Sequence, residues 1–356
     1  MKKNLHKYTI LLVLLAMGII STVITDGAFA RPENIMNLAV QVVVNGILAV
    51  GMTLIILTGG IDLGVGSVMA LIGVVVAKLQ LTYHFSTWSS VLISLALGLG
   101  IGLWNGFFIT KFKLPPFIVT LGSMTIARGL ALVISKGSAI APVNNTFAML
   151  ATWQLPSLVA VVLTAIIGGL ILFRNIRNKH WLDGIATALV TLFVIWVLLN
   201  SCGLPLPVII FAIVAALGIF VLKRTTFGRY LYAYGGNVQA TRLSGINVDK
   251  LLIWDYVIMG GLAALAGLVL ASRMAAGVPT AGNMAELDAI ASVVIGGTSL
   301  AGGAGAVGGS VIGAFIIGLL NNVLVILNVE ANYQYIIKGF IIMGAVMLDT
   351  LKQKRG

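Results

Sequence analysis

MNLAVQVVVNGILAVGMTLIILT, residues 36–58, decides the fold. None of its 23 residues is charged. As an α-helix it would run about 34 Å at 1.5 Å per residue, and the hydrocarbon core of a bilayer is about 30 Å thick. Comparable stretches recur at 8–25, 66–83, 88–110, 116–135, 157–173, 184–200, 207–222, 251–272, 286–301, 306–328 and 333–350. The weakest is 286–301, which begins with Glu286 and Asp288 and runs into glycines, so a short or broken helix is expected there. Across all 356 residues 59% are apolar and 9% charged, whereas a soluble domain carries about 25% charged residues. That balance excludes a cytosolic enzyme, a disordered chain and a secreted disulfide scaffold. The expected fold is all-α: one polytopic membrane domain over 1–356, with about 10–12 transmembrane helices and short or broken helices near the Gly-rich motifs.

The formal charge is +12. In a soluble protein such an excess suggests nucleic acid; here the bases sit at the ends of apolar stretches, where they set orientation, and no nucleic-acid partner is expected. With both termini on the cytoplasmic side, the inner segments hold Lys2, Lys3, Lys7, Lys111, Lys113, Arg174, Arg177, Lys179, Lys223, Arg224, Arg229, Arg242, Lys250, Lys352, Lys354 and Arg355. Arg31, Lys78, Lys136, Arg273 and Lys338 fall at outer ends, and Arg128 is intramembrane. The N-terminus also matches a signal peptide with Ala28-Phe29-Ala30 as its cleavage site, but the apolar run from Tyr8 to Thr25 is long for that, and a retained helix is expected.

Several chemistries are excluded. Cys202 is the single cysteine, so neither an intrachain disulfide nor a thiolate cluster is available. His6, His84 and His180 lack metal-ligand spacing. No G-x-x-x-x-G-K-[ST] loop is present, so ATP and Mg, if used, belong to another polypeptide and no cofactor is expected in this chain. Gly303-Ala304-Gly305-Ala306-Val307-Gly308 matches G-x-G-x-x-G, but the helix after it is apolar around almost its whole circumference and lacks the solvated face of a Rossmann helix.

Gly59-Gly60-Ile61-Asp62-Leu63-Gly64-Val65-Gly66 and Gly296-Gly297-Thr298-Ser299-Leu300-Ala301-Gly302-Gly303 share the pattern G-G-x-[DS]-L-x-x-G. Both would lie near the cytoplasmic side as parallel copies, one way transporter folds are built; close helix approach through glycine is the plainer reading.

The inner loop, about 223–250, differs from its surroundings. Asn237 can cap a helix, Val238 to Ser244 reads as a short amphipathic helix, and Gly245 stops it. Its tyrosines together with Arg242 point to a protein interface, since both residue types are enriched there.

This loop is similar to the cytoplasmic coupling loop of bacterial ABC-transporter permeases for simple sugars, of the ribose, xylose and galactose type. The family's G-R-x-x-Y-A-x-G-G-N-x-x-A-A-x-x-S-G-I reads here as Gly228-Arg229, Tyr232-Ala233, Gly235-Gly236-Asn237, Ala240 and Ser244-Gly245-Ile246, with Thr241 for the second Ala. The family's G-G-I-D-L-S-V-G matches 59–66 except at Gly64. Its F-I-V-T-L-G-x-M matches Phe117 to Met124, and its E-L-D-A-I-A-x-x-V-I-G-G-T-S-L-x-G-G matches Glu286 to Gly303. The resemblance covers essentially the whole chain, and the extra helix pair at 157–200 looks like the xylose branch.

The resemblance implies an importer of several parts in the cytoplasmic (inner) membrane. An extracytoplasmic binding protein delivers a monosaccharide, a pentose such as xylose or ribose being favoured. Two permease copies form the pathway, and a cytoplasmic ATP-binding subunit docks on the coupling helices. The residues expected to couple to it are Arg229, Asn237, Ala240, Arg242, Ser244, Gly245 and Ile246. A neutral sugar needs hydrogen-bonding groups along its path, and polar residues within spans default to function. Asn45, Asp62, Asn105, Ser299, Asn321 and Asn322 are the candidates, with Ser310 beside them. Against a pathway role stand interhelical hydrogen bonding for the amides and capping of the helix 63–83 for Asp62. A secondary, ion-coupled sugar transporter is the alternative; it would need a titrating acid in mid-span, for which Asp62 and Asp255 are available. A membrane hydrolase would need a histidine at depth, and none lies mid-span.

Overall fold

The computed structural model describes residues 2–178 and 181–353. His180, weighed above as a metal ligand, and Lys179, Lys354 and Arg355, counted among the inner bases, lie outside the described residues. In chain order the helices are α1 (Lys2–Ile24), α2 (Pro32–Leu57), α3 (Val65–Leu81), α4 (Thr87–Lys111), α5 (Pro116–Ser135), α6 (Asn145–Thr152), α7 (Ser157–Arg177), α8 (Trp181–Leu199), α9 (Leu206–Arg224), α10 (Thr226–Gly236), α11 (Val238–Leu243), α12 (Val248–Met274), α13 (Ala285–Ile295), α14 (Val307–Ile326) and α15 (Ala331–Gln353).

Each of the twelve expected spans holds a helix. Seven of them, α2, α4, α5, α7, α9, α12 and α14, are long and apolar enough to cross a bilayer unaided. Thr9–Ile24, Val65–Leu81 and Asp183–Leu199 are shorter apolar helices. α13, with 11 residues, rises about 16 Å, roughly half the hydrocarbon thickness. It is therefore a broken element rather than a span.

The sequence reading missed α6 and α10, both inside long loops. Tyr and Gly are indifferent or poor helix formers, so α10 has little intrinsic preference for a helix. Burial of Leu231 against the bundle supplies the stability that propensity does not. Strand β1 (Gln154–Leu155) pairs antiparallel with β2 (Leu204–Pro205), joining the two ends of the α7–α8 pair.

Helix α2 is the centre of the bundle, with 83% of its most apolar window buried. Pro32 opens it at a position where a missing N–H costs nothing. Gly59, at φ 72°, closes it in the left-handed region. Helix α12 packs on α2, α3 and α4, and α14 on α2 and α13. The α4–α12 contact is backbone to backbone. Gly98, Gly102 and Gly106 recur every fourth residue on one face of α4. A Cβ at Gly102 would stand 2.2 Å from the Tyr256 carbonyl oxygen, and one at Gly98 2.6 Å from that of Gly260. In lipid, where burial of apolar surface between helices drives little, such close approach is what holds helices together.

The packing predicts that Gly102→Val destabilises the protein by about 1–3 kcal/mol or more through overpacking. Gly100→Ala, whose Cβ meets nothing within 4 Å, should be neutral. Thermal unfolding of the two variants in the same detergent checks the difference.

Candidate functional site

The loop between α9 and α12 folds as two helices at one end of the bundle. Thr225 caps α10, its Oγ1 accepting from the Gly228 N–H at 3.2 Å. Leu231 is fully buried, and the Tyr232 hydroxyl donates to the Gly305 carbonyl at 2.8 Å. Burial pushes the phenols of Tyr232 and Tyr234 above the usual tyrosine range, so both remain neutral. Asn237 Oδ1 accepts from the Ala240 N–H at 2.9 Å and starts α11. Gly245 follows α11 at φ 81°. Asn247 Oδ1 then accepts from the Lys250 N–H and starts α12. Of α11 only Thr241 is buried. Ala240, Arg242, Ser244 and Gly245 are exposed, Ile246 is half-buried, and Arg229 on α10 is exposed. Leu243 is 89% exposed. Arg242 lies 4.0 Å from Asp249 with both side chains 63% exposed, a pair that contributes little to stability. The result is a small, rigidly capped platform with an apolar tip and a cation.

Beneath that platform the two Gly-rich motifs meet. The Gly303 N–H donates to the Leu57 carbonyl at 2.9 Å. A Cβ on Gly235 of α10 would stand 1.9 Å from that same carbonyl oxygen and 2.3 Å from the Gly303 nitrogen. At Gly235 the platform is thus seated backbone to backbone on the turns that join α2 to α3 and α13 to α14, with Leu231 and Tyr232 packed beside it. Both turns stop the helix before them in the same way. Gly59 N–H bonds to Ile56 and Gly60 to Ile55; Gly297 bonds to Val294 and Thr298 to Val293. The left-handed residues that end the two helices are Gly59 and Gly297, the first and second glycines of their motifs. The two turns therefore do the same job one residue out of phase.

A second polar cluster lies deep in the bundle and involves a residue whose role sequence reasoning missed. Arg128 sits about 18 Å along α5 from its first residue, near mid-depth of the bilayer. Its guanidinium donates to the carbonyls of Pro279 and Ala281, the latter at 2.9 Å. The non-helical segment 275–284, expected to be an outer loop, therefore dips into the membrane. Ile140 and Gly277 exchange backbone bonds at 2.9 Å, and Val143 N–H donates to the Ala275 carbonyl. Lower down, a Cβ on Gly66 would stand 2.2 Å from the Gly282 carbonyl oxygen and 2.6 Å from Glu286 Oε2. Glu286 is close enough to Arg128 to feel its charge. Two residues on, Asp288 pairs with Lys338 at 2.9 Å and joins α13 to α15. The signal available in the sequence was an arginine alone in an apolar span, which must find acceptors inside the protein.

The six residues expected along a sugar path are not gathered in one place. The Asn105 amide oxygen accepts from the Ser123 hydroxyl between α4 and α5. Asn322 and Asn34 exchange amide bonds at 3.0 and 3.1 Å between α14 and α2. Asn45 donates to Ser292 between α2 and α13 at 2.9 Å, while its Oδ1 is buried without a partner. Asn321 Oδ1 is likewise buried without a partner. Asp62, 4% exposed, accepts from the Gly64 N–H at 2.8 Å. The N-cap position of α3 is Gly64, two residues on, so Asp62 does not cap the helix as expected but shapes the turn that enters it. Ser299 lies in the turn under α10, its Oγ accepting from the Ala301 N–H. Ser310 accepts from Thr53 at 2.8 Å. Asp255 is fully buried beside Thr58, at 3.5 Å. Among the described residues no group of His, Cys, Asp and Glu could hold a metal ion.

Residues 34–346 match the family described as "Branched-chain amino acid transport system / permease component", and the chain belongs to that family of membrane permeases. The xylose transport system permease protein XylH of Haemophilus influenzae is 39% identical, over 99% of this chain and 98% of its own. XylH of Escherichia coli K12 is 39% identical over 99% and 93%. The ribose import permease protein RbsC of the same strain is 40% identical over 98% and 95%. No solved structure matches the chain significantly.

Removing the arginine tests the clamp. Arg128→Ala leaves two carbonyls unpaired at depth, each costing about 1–3 kcal/mol. Arg128→Lys should recover only part, since an ammonium lacks the planar fork. The expected readout is a lowered thermal midpoint in the order wild type, Lys, Ala, together with faster labelling of a cysteine placed at Asn283.

Proposed function

We propose that this chain is the permease of an ATP-driven importer for a pentose, xylose or ribose. Near full-length similarity to permeases named for those two sugars supports the sugar class. The observation that carries the mechanism is the capped α10–α11 platform seated directly on the turns of α2–α3 and α13–α14. A push on α11 reaches the bundle through α10, whose Gly235 meets the end of α2 and the α13–α14 turn backbone to backbone.

In this reading the α10–α11 end faces the cytoplasm and both termini lie there. The bases Lys111, Lys113, Lys223, Arg224, Arg229, Arg242 and Lys250 cluster at that end, as the positive-inside bias requires. A separate cytoplasmic ATP-binding subunit docks on Arg229, Asn237, Ala240, Arg242, Ser244, Gly245 and Ile246, with the exposed Leu243 as apolar anchor. It brings ATP and Mg; the permease contributes motion. A paired ATPase offers two docking sites, so two permease copies assemble around one path, and an extracytoplasmic binding protein delivers the sugar. Of the amides first considered for the path, Asn45 and Asn321 keep a free carbonyl oxygen and are the ones we assign to sugar hydroxyls. The amides of Asn105 and Asn322 are engaged between helices.

Two variants test the coupling. Gly245→Val forces a β-branched residue to φ 81°, where it is strained, yet its Cβ would meet nothing within 4 Å, so the bundle should be spared. Arg242→Glu reverses a charge on an exposed side chain. Both should keep near-wild-type membrane yield while pentose uptake by the reconstituted complex falls about ten-fold or more, the effect of about 1.4 kcal/mol lost at the interface. Normal uptake with the ATPase bound would remove this loop from the coupling role. Equal uptake with and without ATP would favour ion coupling instead.

A further inference from the structure

The α7–α8 pair stands off from the rest of the bundle. Its substantial contacts are between its own two helices, where Gly168 faces Thr191, and between α8 and α2. Between the pair and helices α1, α9 and α14 lies a cavity of about 1020 Å³. From Thr164 to Asn178 it follows the last part of α7 and its C-cap, about 21 Å, somewhat more than one leaflet's share of a hydrocarbon core of about 30 Å. Its walls are mainly apolar, with Ile167, Ile171, Val194, Ile219 and Phe220 among them beside the hydroxyls of Thr164 and Thr191. Its rim, at the α10–α11 end, carries the exposed cations Arg174, Lys223 and Arg224 against one carboxylate, Asp183. The Asn175 amide and the Thr187 hydroxyl inside it already bond to each other at 3.1 Å.

The space is an open groove whose lining side chains Ile167, Ile171 and Phe220 are exposed, and in a bilayer such apolar surface is met by acyl chains rather than by water. A sugar would find the interior polar groups of Asn175 and Thr187 already engaged. A solute with a long apolar body and one anionic end fits both halves of the site. We propose that this cavity binds an anionic phospholipid of the leaflet at the α10–α11 end, its phosphate between Arg174, Lys223 and Arg224 and an acyl chain along α7 and α9. The lipid wedges the pair against the body and becomes part of the fold. This site is separate from the coupling platform and depends on none of its assignments, only on the chain's lying in a membrane.

The test is lipid retention by the full-length purified protein, followed by native mass spectrometry with added phosphatidylglycerol or phosphatidylcholine. Wild type should retain phosphatidylglycerol at about ten-fold or more lower concentration than phosphatidylcholine, as expected for several cations near one phosphate. The triple variant R174Q/K223Q/R224Q should lose that preference, its changes being on exposed side chains. Ala216→Trp, which fills the cavity wall and leaves the rim intact, should also lose phosphatidylglycerol. Millimolar inorganic phosphate should not compete. Equal retention of the two lipids by wild type overturns the proposal. So does an unchanged preference in the triple variant, undiminished binding by A216W, or displacement by inorganic phosphate, which would mark a surface anion contact without a chain site.

Discussion

Inside a bilayer no water is available to satisfy an amide or carbonyl, and every backbone group must find its partner within the protein. The rest of this structure follows from that constraint. Where the chain is helical the requirement is met locally. Where it is not, at 275–284 and in the two Gly-rich turns, partners come from other elements: Arg128 for Pro279 and Ala281, Ile140 for Gly277, and Leu57 for Gly303. Irregular backbone at depth is tolerated because neighbours complete it.

The same constraint explains the glycines. Backbone can reach backbone only where no side chain intervenes, and the α4–α12 contact and the seat of α10 are two such places. One is a structural seam along the bundle. The other lies between an exposed platform and the ends of four membrane elements. A close contact of bare backbone is stiff, because a packed interior yields little. That is why the seat suits the transmission of a displacement better than a layer of rotatable side chains would.

Charge follows a similar division. At the ends of spans Lys111, Lys113, Lys223 and Arg224 stay exposed. Away from the ends, Arg128 is engaged by the carbonyls of Pro279 and Ala281 and Asp288 by Lys338 of α15, as the desolvation cost demands. The α7–α8 pair is the exception to close packing. Strand pairing at its ends and the contact of α8 with α2 hold it, and the space it leaves is lined differently at rim and wall.

Much of the fold was legible in the sequence. Apolar length placed a helix at each of twelve positions, and the acids and glycines of 286–301 marked α13 as short. Asn237 and Gly245 bounded α11 because caps and stops are local chemistry, satisfied within a few residues. The motifs carried the family. What tertiary structure alone decided is where distant segments meet. α10 is a helix because Leu231 is buried, not because its residues favour one. Arg128 reads as an isolated intramembrane charge until residues 279–281, some 150 positions on, supply its acceptors. The amides picked for a sugar path are alike in sequence, yet partners on other helices engage Asn105 and Asn322 and leave Asn45 and Asn321 with free oxygens. Periodicity and capping are properties of neighbours along the chain; pairing of buried polar groups is a property of neighbours in space, and only the folded bundle defines those.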